Sequence, residues 1–476
     1  MLNRRQILSQ AGGGAGLLGL SMLLRDEGRL VADEPGSKLD PLSPKMPHFA
    51  AKAKAVIWLF INGGPSQVDT WDYKPELEKF HGKDLEGFDK FTGFFSGSVG
   101  PLMKSPFQFN QHGESGKWVS EIFPNLAKHV DKMAFVHSAY TKSNNHSPAL
   151  FMMNTGFTQM GYPCVGAWST YGLGSESRDL PAFVVMSDPK GRGLPKGYSL
   201  NWGTGFLPSV YQGTWLKPSG VQIDNLAAPA ELNGTRQRAQ LDLLASLNKQ
   251  HQQLHSSESE FAARIESFEL AYRMQSAAPE ALDLSRESAQ TQALYGLDDP
   301  RCSHFAKQCL VARRMVEHGV RFVQIYSGGM ENQRSWDGHA DIQGNHSEFA
   351  GETDKPIAAL LEDLTQRGLL DSTLVIWGGE FGRLPVTQTG AKPGRDHNPH
   401  AMTFWFAGGG IKAGTSYGAS DEVGHKAVEN RVSVHDMHAT ILHLLGLDHQ
   451  RLTFRHNGRD FRLTDVEGNV IRELVS

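Results

Sequence analysis

Short apolar runs alternate along this chain with segments whose apolar residues recur at helical spacing. The runs are rich in β-branched and aromatic residues, and each ends at a glycine-rich or polar turn. The predicted strands are Val56–Ile61, Met133–Ala139, Ala182–Met186, Arg321–Tyr326, Thr373–Trp377 and Met402–Ala407. Uninterrupted apolar strands between helices are typical of a mostly parallel sheet covered on both faces. The pattern therefore predicts a three-layer α/β/α protein that binds ligands beyond the carboxyl ends of its strands.

The stretch of residues 123–156 is the most informative part of the pattern. It predicts a short helix, the strand Met133–Ala139, a polar loop and a second helix entered at Pro148. Free backbone N–H groups and the positive end of a helix dipole collect at such a strand-to-helix turn. We therefore expect a reactive group in this loop. Two further helices are predicted at Phe305–His318 and Glu352–Gln366.

Residues 227–297 differ in composition from the rest of the chain. Gln, Glu, Ser, Ala and Leu dominate there at helical spacing, which predicts an inserted helical pair or cap. Residues 33–54 are interpreted as a linker. The main domain is then expected to span residues 55–470.

The first 32 residues have the pattern of an export signal. Asn3-Arg4-Arg5-Gln6-Ile7-Leu8 matches a twin-arginine motif, and an apolar run of 14 residues, 11–24, follows it. That run is too short to span a bilayer, which takes about 20 residues, so it predicts a signal peptide rather than part of the fold. A membrane anchor is the alternative, because the cleavage site is poor. We expect a protein of the periplasm or cell envelope, exported already folded and without a membrane span in its mature form.

The composition is that of a soluble globular protein, with 39% hydrophobic and 21% charged residues. The 47 basic and 51 acidic residues give a formal net charge of −4, which argues against nucleic acid or an anionic membrane surface as the partner. Three cysteines cannot form a disulfide framework. Cys302 and Cys309 would lie about 10 Å apart along a predicted helix, which is too far for a bridge.

Two loops carry residue patterns that suit a divalent metal. Asp337 and His339 form an Asp-x-His pair before a predicted helix, with His346 close behind. Imidazole and carboxylate groups can reach one ion from such a loop. His397 belongs to a second group, in which two histidines and an aspartate lie within five residues just before the last predicted strand. An ordinary polar loop is the alternative for both patterns.

The stretch 123–156 also resembles the nucleophile region of sulfatases in the alkaline-phosphatase superfamily. Phe123–Leu126 leads, Ala139–Thr141 follows and Thr155–Gly156 closes the stretch in the order and spacing of the sulfatase pattern. However, His146 stands where sulfatases have the nucleophilic Cys or Ser, and Leu150 stands where they have an Arg. The resemblance implies the scaffold of this superfamily with altered chemistry.

The same resemblance implies further ligands. Superfamily members place a metal-binding Asp at the end of the first strand, where this chain has Asn62, with Asp69 or Asp72 as replacements from the loop. A capped turn is the alternative role of these loop residues. A later superfamily motif supplies an Asp and a His to one metal. Here Glu380 can replace the Asp, whereas Phe381 cannot replace the His.

Over about residues 55–470 the chain resembles the exported domain-of-unknown-function 1501 family, which is grouped with the alkaline-phosphatase and sulfatase superfamily. The match is carried by residues 63–66, 69–70, 379–383, 394–397 and 458–465. Membership implies an alkaline-phosphatase/sulfatase-like fold with a late metal-binding histidine, which corresponds to His397. It assigns no activity, and a fold alone does not transfer one.

Two functions are compatible with these residues. The first is a divalent-metal-dependent hydrolase of phosphate or sulfate esters, acting on a small anionic ester or a sulfated or phosphorylated glycan. Zinc is the favoured ion, with manganese or calcium as alternatives, and the candidate ligands are Asn62, Asp337, His339, Glu380 and His397. The candidate catalytic residues are His146 as nucleophile or base, Ser147, and Arg383 as an anion-binding group. The second is an altered or inactive relative that binds a glycan, an anion or an envelope partner.

A formylglycine mechanism of the sulfatase type is excluded by the sequence. That mechanism needs a modifiable cysteine at the nucleophile position, and neither His146 nor Ser147 is one.

Overall fold

A computed structural model describes residues 40–217, 223, 226, 234–254 and 259–476. The predicted signal peptide, residues 1–32, and residues 33–39 of the predicted linker lie outside the described residues. The division into signal, linker and main domain therefore stays a prediction. Among the described residues, no helix combines the length and apolar character needed to cross a membrane.

The strands alternate with helices along the chain. In chain order they are β1 Ala55–Ile61, β2 Val99–Leu102, β3 Phe109–His112, β4 Lys117–Ser120, β5 Met133–Tyr140, β6 Phe183–Met186, β7 Thr214–Leu216, β8 Phe322–Ser327, β9 Thr373–Gly378, β10 Gly382–Arg383, β11 Val386–Gln388, β12 His397–Asn398, β13 Met402–Ala407, β14 Ser416–Tyr417, β15 Ala419–Ser420, β16 Ala427–Glu429, β17 Val432–Ser433, β18 Phe454–His456 and β19 Arg459–Phe461. The α-helices are Gln67–Thr70, Glu76–Lys79, His146–Thr155, Val165–Leu173, Gly234–Leu254, Ser259–Leu282, Ala289–Tyr295, Ser303–Glu317, Ile342–Gln366 and Val434–Leu444.

One nine-stranded sheet organises the described part of the chain. Its strand order is β14-β5-β13-β9-β1-β8-β6-β7, and β17 also pairs with β5. All of its pairings are parallel except those of β13, which runs antiparallel to both β5 and β9. The prediction of an α/β fold with a mostly parallel sheet is confirmed.

Helices cover both faces of this sheet. Every residue of β1 is buried, because successive side chains of a strand point to opposite faces and both faces are packed. Ile57 and Leu59 join one apolar core with the helices Ser303–Glu317 and Ile342–Gln366. Trp58 lies in the other core, which includes residues of three helices: His146–Thr155, Val165–Leu173 and Val434–Leu444. The three-layer α/β/α prediction is thereby confirmed.

Two helices begin earlier than predicted because polar side chains cap them. The helix expected from Pro148 begins at His146, where the Asn145 side chain accepts a hydrogen bond from the Ser147 backbone N–H. The helix expected from Glu352 begins at Ile342, since the preceding aspartate accepts from the Gly344 N–H. Apolar periodicity locates a helix body, whereas the cap decides its first residue.

Two long helices, Gly234–Leu254 and Ser259–Leu282, fall within the segment 227–297 for which inserted helices are predicted. An ion pair between Arg238 and Glu269 joins them. The Arg314 guanidinium, on the helix Ser303–Glu317, donates to the Ala281 carbonyl near the end of the second helix.

The strand directions bring several loops to one edge of the sheet. Because β1, β5, β8 and β9 run parallel, their carboxyl ends meet at the same edge. The antiparallel strand β13 runs the other way, so the residues that precede its first residue, Met402, reach that edge as well. Loops from four distant parts of the chain therefore meet there.

Candidate metal centre

A cluster of four potential metal ligands lies at this edge. It contains His146, Asp337, His339 and His397, and one ligand atom from each lies within 4.8 Å of the others. His339 is partly exposed and the other three are buried. Three imidazole nitrogens and a carboxylate oxygen form a donor set that proteins use for zinc. This cluster could bind a metal ion.

Local structure places each ligand. His146 is the first residue of its helix, directly after the polar loop that follows β5. Asp337 and His339 lie in the loop between β8 and the helix Ile342–Gln366. His397 is in the short strand β12, which pairs with β10 so that His397 lies opposite Arg383.

The three imidazoles converge on one carboxylate. His339 Nε2 lies 2.9 Å and His397 Nε2 lies 3.3 Å from Asp337 Oδ1. His146 Nε2 lies 3.3 Å from Asp337 Oδ2, yet this buried nitrogen makes no hydrogen bond with the described residues. A buried imidazole nitrogen without a hydrogen bond is costly unless another partner binds it. A metal ion would satisfy it, so the residues fit such an ion.

The outer nitrogens of the rings are held by acceptors. The pairs are His146 Nδ1 with Glu380 Oε1 at 2.8 Å, His339 Nδ1 with Gln388 Oε1 at 2.7 Å, and His397 Nδ1 with the Asn144 carbonyl at 2.6 Å. An acceptor at Nδ1 keeps the proton on that atom and leaves the Nε2 lone pair free. Histidines that bind metals are typically oriented in this way.

The charges of the cluster depend on one another. Burial raises the pKa of Asp337, but Arg383 and the three histidines outweigh burial and hold it well below its usual value. Burial lowers the pKa of His146, yet the Asp337 and Glu380 carboxylates raise it to about 9. Burial and the neighbouring His146 charge keep the pKa of His397 well below its usual value. A metal ion bound at His146 Nε2 would replace the proton there.

Arg383 supports Asp337 from behind. Its guanidinium is fully buried and donates to the Gly64 carbonyl at 2.8 Å, the Arg395 carbonyl at 3.1 Å, the Gly63 carbonyl, and Asp337 Oδ1 at 2.7 Å. We expected Arg383 to bind an anionic substrate. The structure instead commits this guanidinium to protein acceptors, so it positions the carboxylate.

Glu380 contacts the cluster through His146, and Asn62 is held by the loop that follows β8. Glu380 is fully buried, and besides His146 it accepts from the Gly63 backbone N–H at 3.0 and 3.2 Å. The Asn62 side chain donates to the Gly329 carbonyl, and its Oδ1 is buried without a hydrogen-bond partner among the described residues. Their predicted role as ligands stays a prediction, and the geometry of Glu380 favours orientation of His146.

The remaining candidates contact other parts of the protein. The Ser147 backbone N–H donates to the helix cap, and among the described residues its hydroxyl makes no hydrogen bond with the cluster, so its catalytic role stays a prediction. His346 Nε2 accepts from the Ser66 N–H at 2.9 Å, so its lone pair is already used, and this residue is not part of the cluster. Burial lowers the pKa of His346 to about 3, so its imidazole is neutral. Asp69 pairs with Arg395, while Asp72 lies 3.0 Å from the Lys74 ammonium.

Phe94 and Phe95 form one wall of the site, and they belong to the aromatic-rich segment 88–109, for which the sequence predicts either a ligand-binding surface or core packing. Their rings are 49% and 43% exposed, and they lie 5.8 Å from the His397 ring and 4.9 Å from the His339 ring, respectively. Asp396 holds this loop by accepting from the Phe95 N–H at 2.6 Å. The loop has no regular pattern, so only its aromatic content indicates it. Gln388 and Asn144 had no sequence signal at all.

The comparisons with known proteins identify the family. The family model of the "Protein of unknown function (DUF1501)" matches residues 53–475, which is most of the chain. The chain belongs to this family. A search of curated proteins found no match.

Solved structures that resemble this DUF1501 chain include sulfatases and phosphatases. The PsFucS1 sulfatase from Pseudoalteromonas sp. is 12% identical, with a TM-score of 0.35 over 83% of this chain and 68% of that one. The alkaline phosphatase from the Antarctic bacterium TAB5 is 10% identical, with a TM-score of 0.30 over 75% and 92%. The phosphonate monoester hydrolase SpPMH from Silicibacter pomeroyi is 11% identical, with a TM-score of 0.32 over 68% of each chain. At these TM-scores the likeness supports no inference about the site.

Proposed function

We propose that this DUF1501 protein is a divalent-metal-dependent hydrolase of phosphate or sulfate esters. The ion would be held by His146, Asp337, His339 and His397. The observation that carries the proposal is the inward convergence of three Nε2 atoms on one carboxylate, with every Nδ1 atom held by an acceptor from outside. Acceptors that hold the outer nitrogen of each ligand histidine are expected when a site is built to bind a metal ion.

Zinc is the ion that best suits this donor set of three nitrogens and one oxygen. When bound, such an ion supplies a Lewis acid and lowers the pKa of a bound water. His146 is then a ligand rather than the nucleophile, because Glu380 occupies its Nδ1 and its Nε2 points at Asp337. The buried Arg383 keeps the carboxylate ionised and in place.

The substrate class rests on the superfamily resemblance of the nucleophile region and on the charge expected at the site. A divalent cation held by these four residues would supply positive charge for an anionic ester, and Arg383 has no role in that contact because its donors serve the protein. Phe94 and Phe95 offer an apolar surface beside the cluster. This surface suits the aryl or sugar ring of an ester.

Export by the twin-arginine route is part of the proposal. The supporting observation is the motif at Arg4 and Arg5 followed by the apolar run 11–24. Cell fractionation should find the protein in the periplasm or envelope, and the double variant Arg4→Lys, Arg5→Lys should leave it in the cytoplasm. Equal periplasmic amounts of both proteins would refute this route.

A binding protein without catalysis is the second candidate. The observation that favours it is that Arg383 and Glu380, the two charged groups nearest the cluster besides its ligands, are both committed to protein partners. Such a protein would hold the ion and an anionic glycan but turn over no ester.

Elemental analysis tests the metal centre directly. The protein is purified without chelators next to the variants His397→Ala and His318→Ala, where His318 is an exposed histidine that follows a helix remote from the cluster. We expect about one zinc ion per chain in the wild type and in His318→Ala, and loss of the ion in His397→Ala. No metal in the wild type, or full retention in His397→Ala, would refute the metal centre.

The ester reaction needs its own measurement. The wild type and His397→Ala are incubated with 4-nitrophenyl phosphate and 4-nitrophenyl sulfate, and release of 4-nitrophenol is followed. Hydrolysis of either ester by the wild type alone supports the hydrolase. A zinc-loaded protein that cleaves neither ester would favour the binding protein.

A further inference from the structure

A cavity of about 200 Å³ lies at the β14 edge of the sheet. Its walls come from residues 71–73 after β1, the hairpin β3–β4, and the strands β5 and β14. The volume is below the roughly 300–1,000 Å³ of sites for drug-sized ligands. Its occupant is therefore limited to one ring-sized group.

Aromatic rings form one wall of this cavity. Trp118 is 41% exposed although it lies on a strand, and its ring centroid lies 4.6 Å from that of Tyr73. Tyr73 in turn stacks on Phe109 at 5.1 Å, so the three rings support one another. An exposed tryptophan on a rigid, packed support presents an apolar face to a ligand at little cost in side-chain entropy.

Polar groups line the same cavity. The Asp72 carboxylate lies 3.9 Å from His137 Nδ1, and Lys117 Nζ lies 2.9 Å from Ser416 Oγ. Trp71 also lines the cavity, and its buried indole N–H has no hydrogen-bond partner among the described residues. Donors and acceptors thus surround a cavity that already has an aromatic face.

We infer that this cavity binds one hexose unit of a glycan. A pyranose ring has apolar C–H faces, which stack on an aromatic ring, and a rim of hydroxyl groups that both donate and accept hydrogen bonds. Trp118 supplies the first requirement, and Asp72, Lys117 and His137 supply the second.

The site is separate from the metal centre. None of the four cluster residues lines this cavity, and His137 lies within β5, whereas His146 lies beyond the end of that strand. The inference therefore does not rest on the proposed esterase activity, and a glycan held here could be bound whether or not the metal centre is loaded.

Saturation-transfer difference NMR tests the inference on the full-length protein. The probes are the methyl α- and β-D-pyranosides of glucose, galactose and mannose, with cyclohexanol as a ring that lacks the hydroxyl pattern. We expect saturable transfer to at least one methyl hexoside and none to cyclohexanol. The variants Trp118→Ala and His137→Gln should each weaken binding at least about tenfold, and Phe91→Ala, at another exposed ring, should not.

Thermal melting shows that each variant is folded. His137→Gln keeps the aromatic wall, so it tests the polar requirement if Trp118→Ala does not fold. No saturable binding of any methyl hexoside would overturn the inference. Folded Trp118→Ala or His137→Gln with wild-type affinity would overturn it as well.

Discussion

The substitution Glu380→Gln separates two roles for this residue. Sequence comparison suggests a metal ligand, whereas the structure places Glu380 Oε1 2.8 Å from His146 Nδ1 and both carboxylate oxygens on the Gly63 N–H. Gln keeps the shape and one acceptor oxygen but removes the charge. The substitution therefore disturbs the orientation and basicity of His146 without removing a ligand from the cluster.

The size of the expected effect follows from this role. Loss of an outer partner of a metal-binding histidine typically lowers metal affinity about 10–100-fold, or roughly 1.4–2.7 kcal/mol. Asp337→Asn should cost more, because it removes the carboxylate on which all three rings converge. We therefore expect the order of zinc affinity wild type, then Glu380→Gln, then Asp337→Asn.

A competition titration with a chromophoric zinc chelator at constant pH measures these affinities. Glu429→Gln, at an exposed position, is the control and should match the wild type. A loss in Glu380→Gln as large as that in Asp337→Asn would show that Glu380 is itself a ligand. Wild-type affinity in Glu380→Gln would refute both roles.

Three further predictions concern stability. Asp69→Asn should destabilise the fold by about 3–5 kcal/mol in urea denaturation, because it leaves Arg395 buried without the carboxylate 2.7 Å away; a change below 1 kcal/mol, on the order of an exposed pair, would contradict this. Burial raises the pKa of Glu352, but Arg192, His304 and Lys190 lower it to about 2, so its stabilisation is present above pH 4.5 and is lost as the pH falls towards 2. Glu352→Gln should therefore show a shallower acid-unfolding curve over that range, and an unchanged slope would count against the network. Burial lowers the pKa of His438 to about 3. Its imidazole therefore stays neutral in the folded protein, whereas in the unfolded chain it gains a proton below pH 6.5. Stability should fall by up to about 1.4 kcal/mol per pH unit between pH 6.5 and 3 through this residue alone, and His438→Gln should remove that slope in pH-dependent melting.

The strands were predictable because their signal is local. The predicted strand Met402–Ala407 has the observed bounds, and Thr373–Trp377 misses one residue of β9. Both are buried on two faces of the sheet, which makes the run continuously apolar. The helix starts were less predictable, since a cap such as Asn145 acts through one side-chain hydrogen bond and leaves no periodic signal.

The candidate site was predictable only as a set of residues. The sequence predicts all four residues of the cluster: the superfamily resemblance indicates His146, and local His and Asp patterns indicate Asp337, His339 and His397. Their roles were harder to assign. The sequence interpretation made His146 a nucleophile or base, whereas the structure groups it with the ligands.

The sequence alone determined the layered α/β fold and the loops that carry imidazole and carboxylate groups. Both can be recognised from short stretches of sequence, because they depend on local apolar patterns and on residue types. Tertiary structure decided which histidine nitrogens face the cluster, since the acceptors Gln388 and Asn144 come from remote loops. It also decided that Arg383 supports Asp337 and that His346 is neutral. Protonation, orientation and access depend on neighbours brought together by the fold, and spacing along the chain does not encode them.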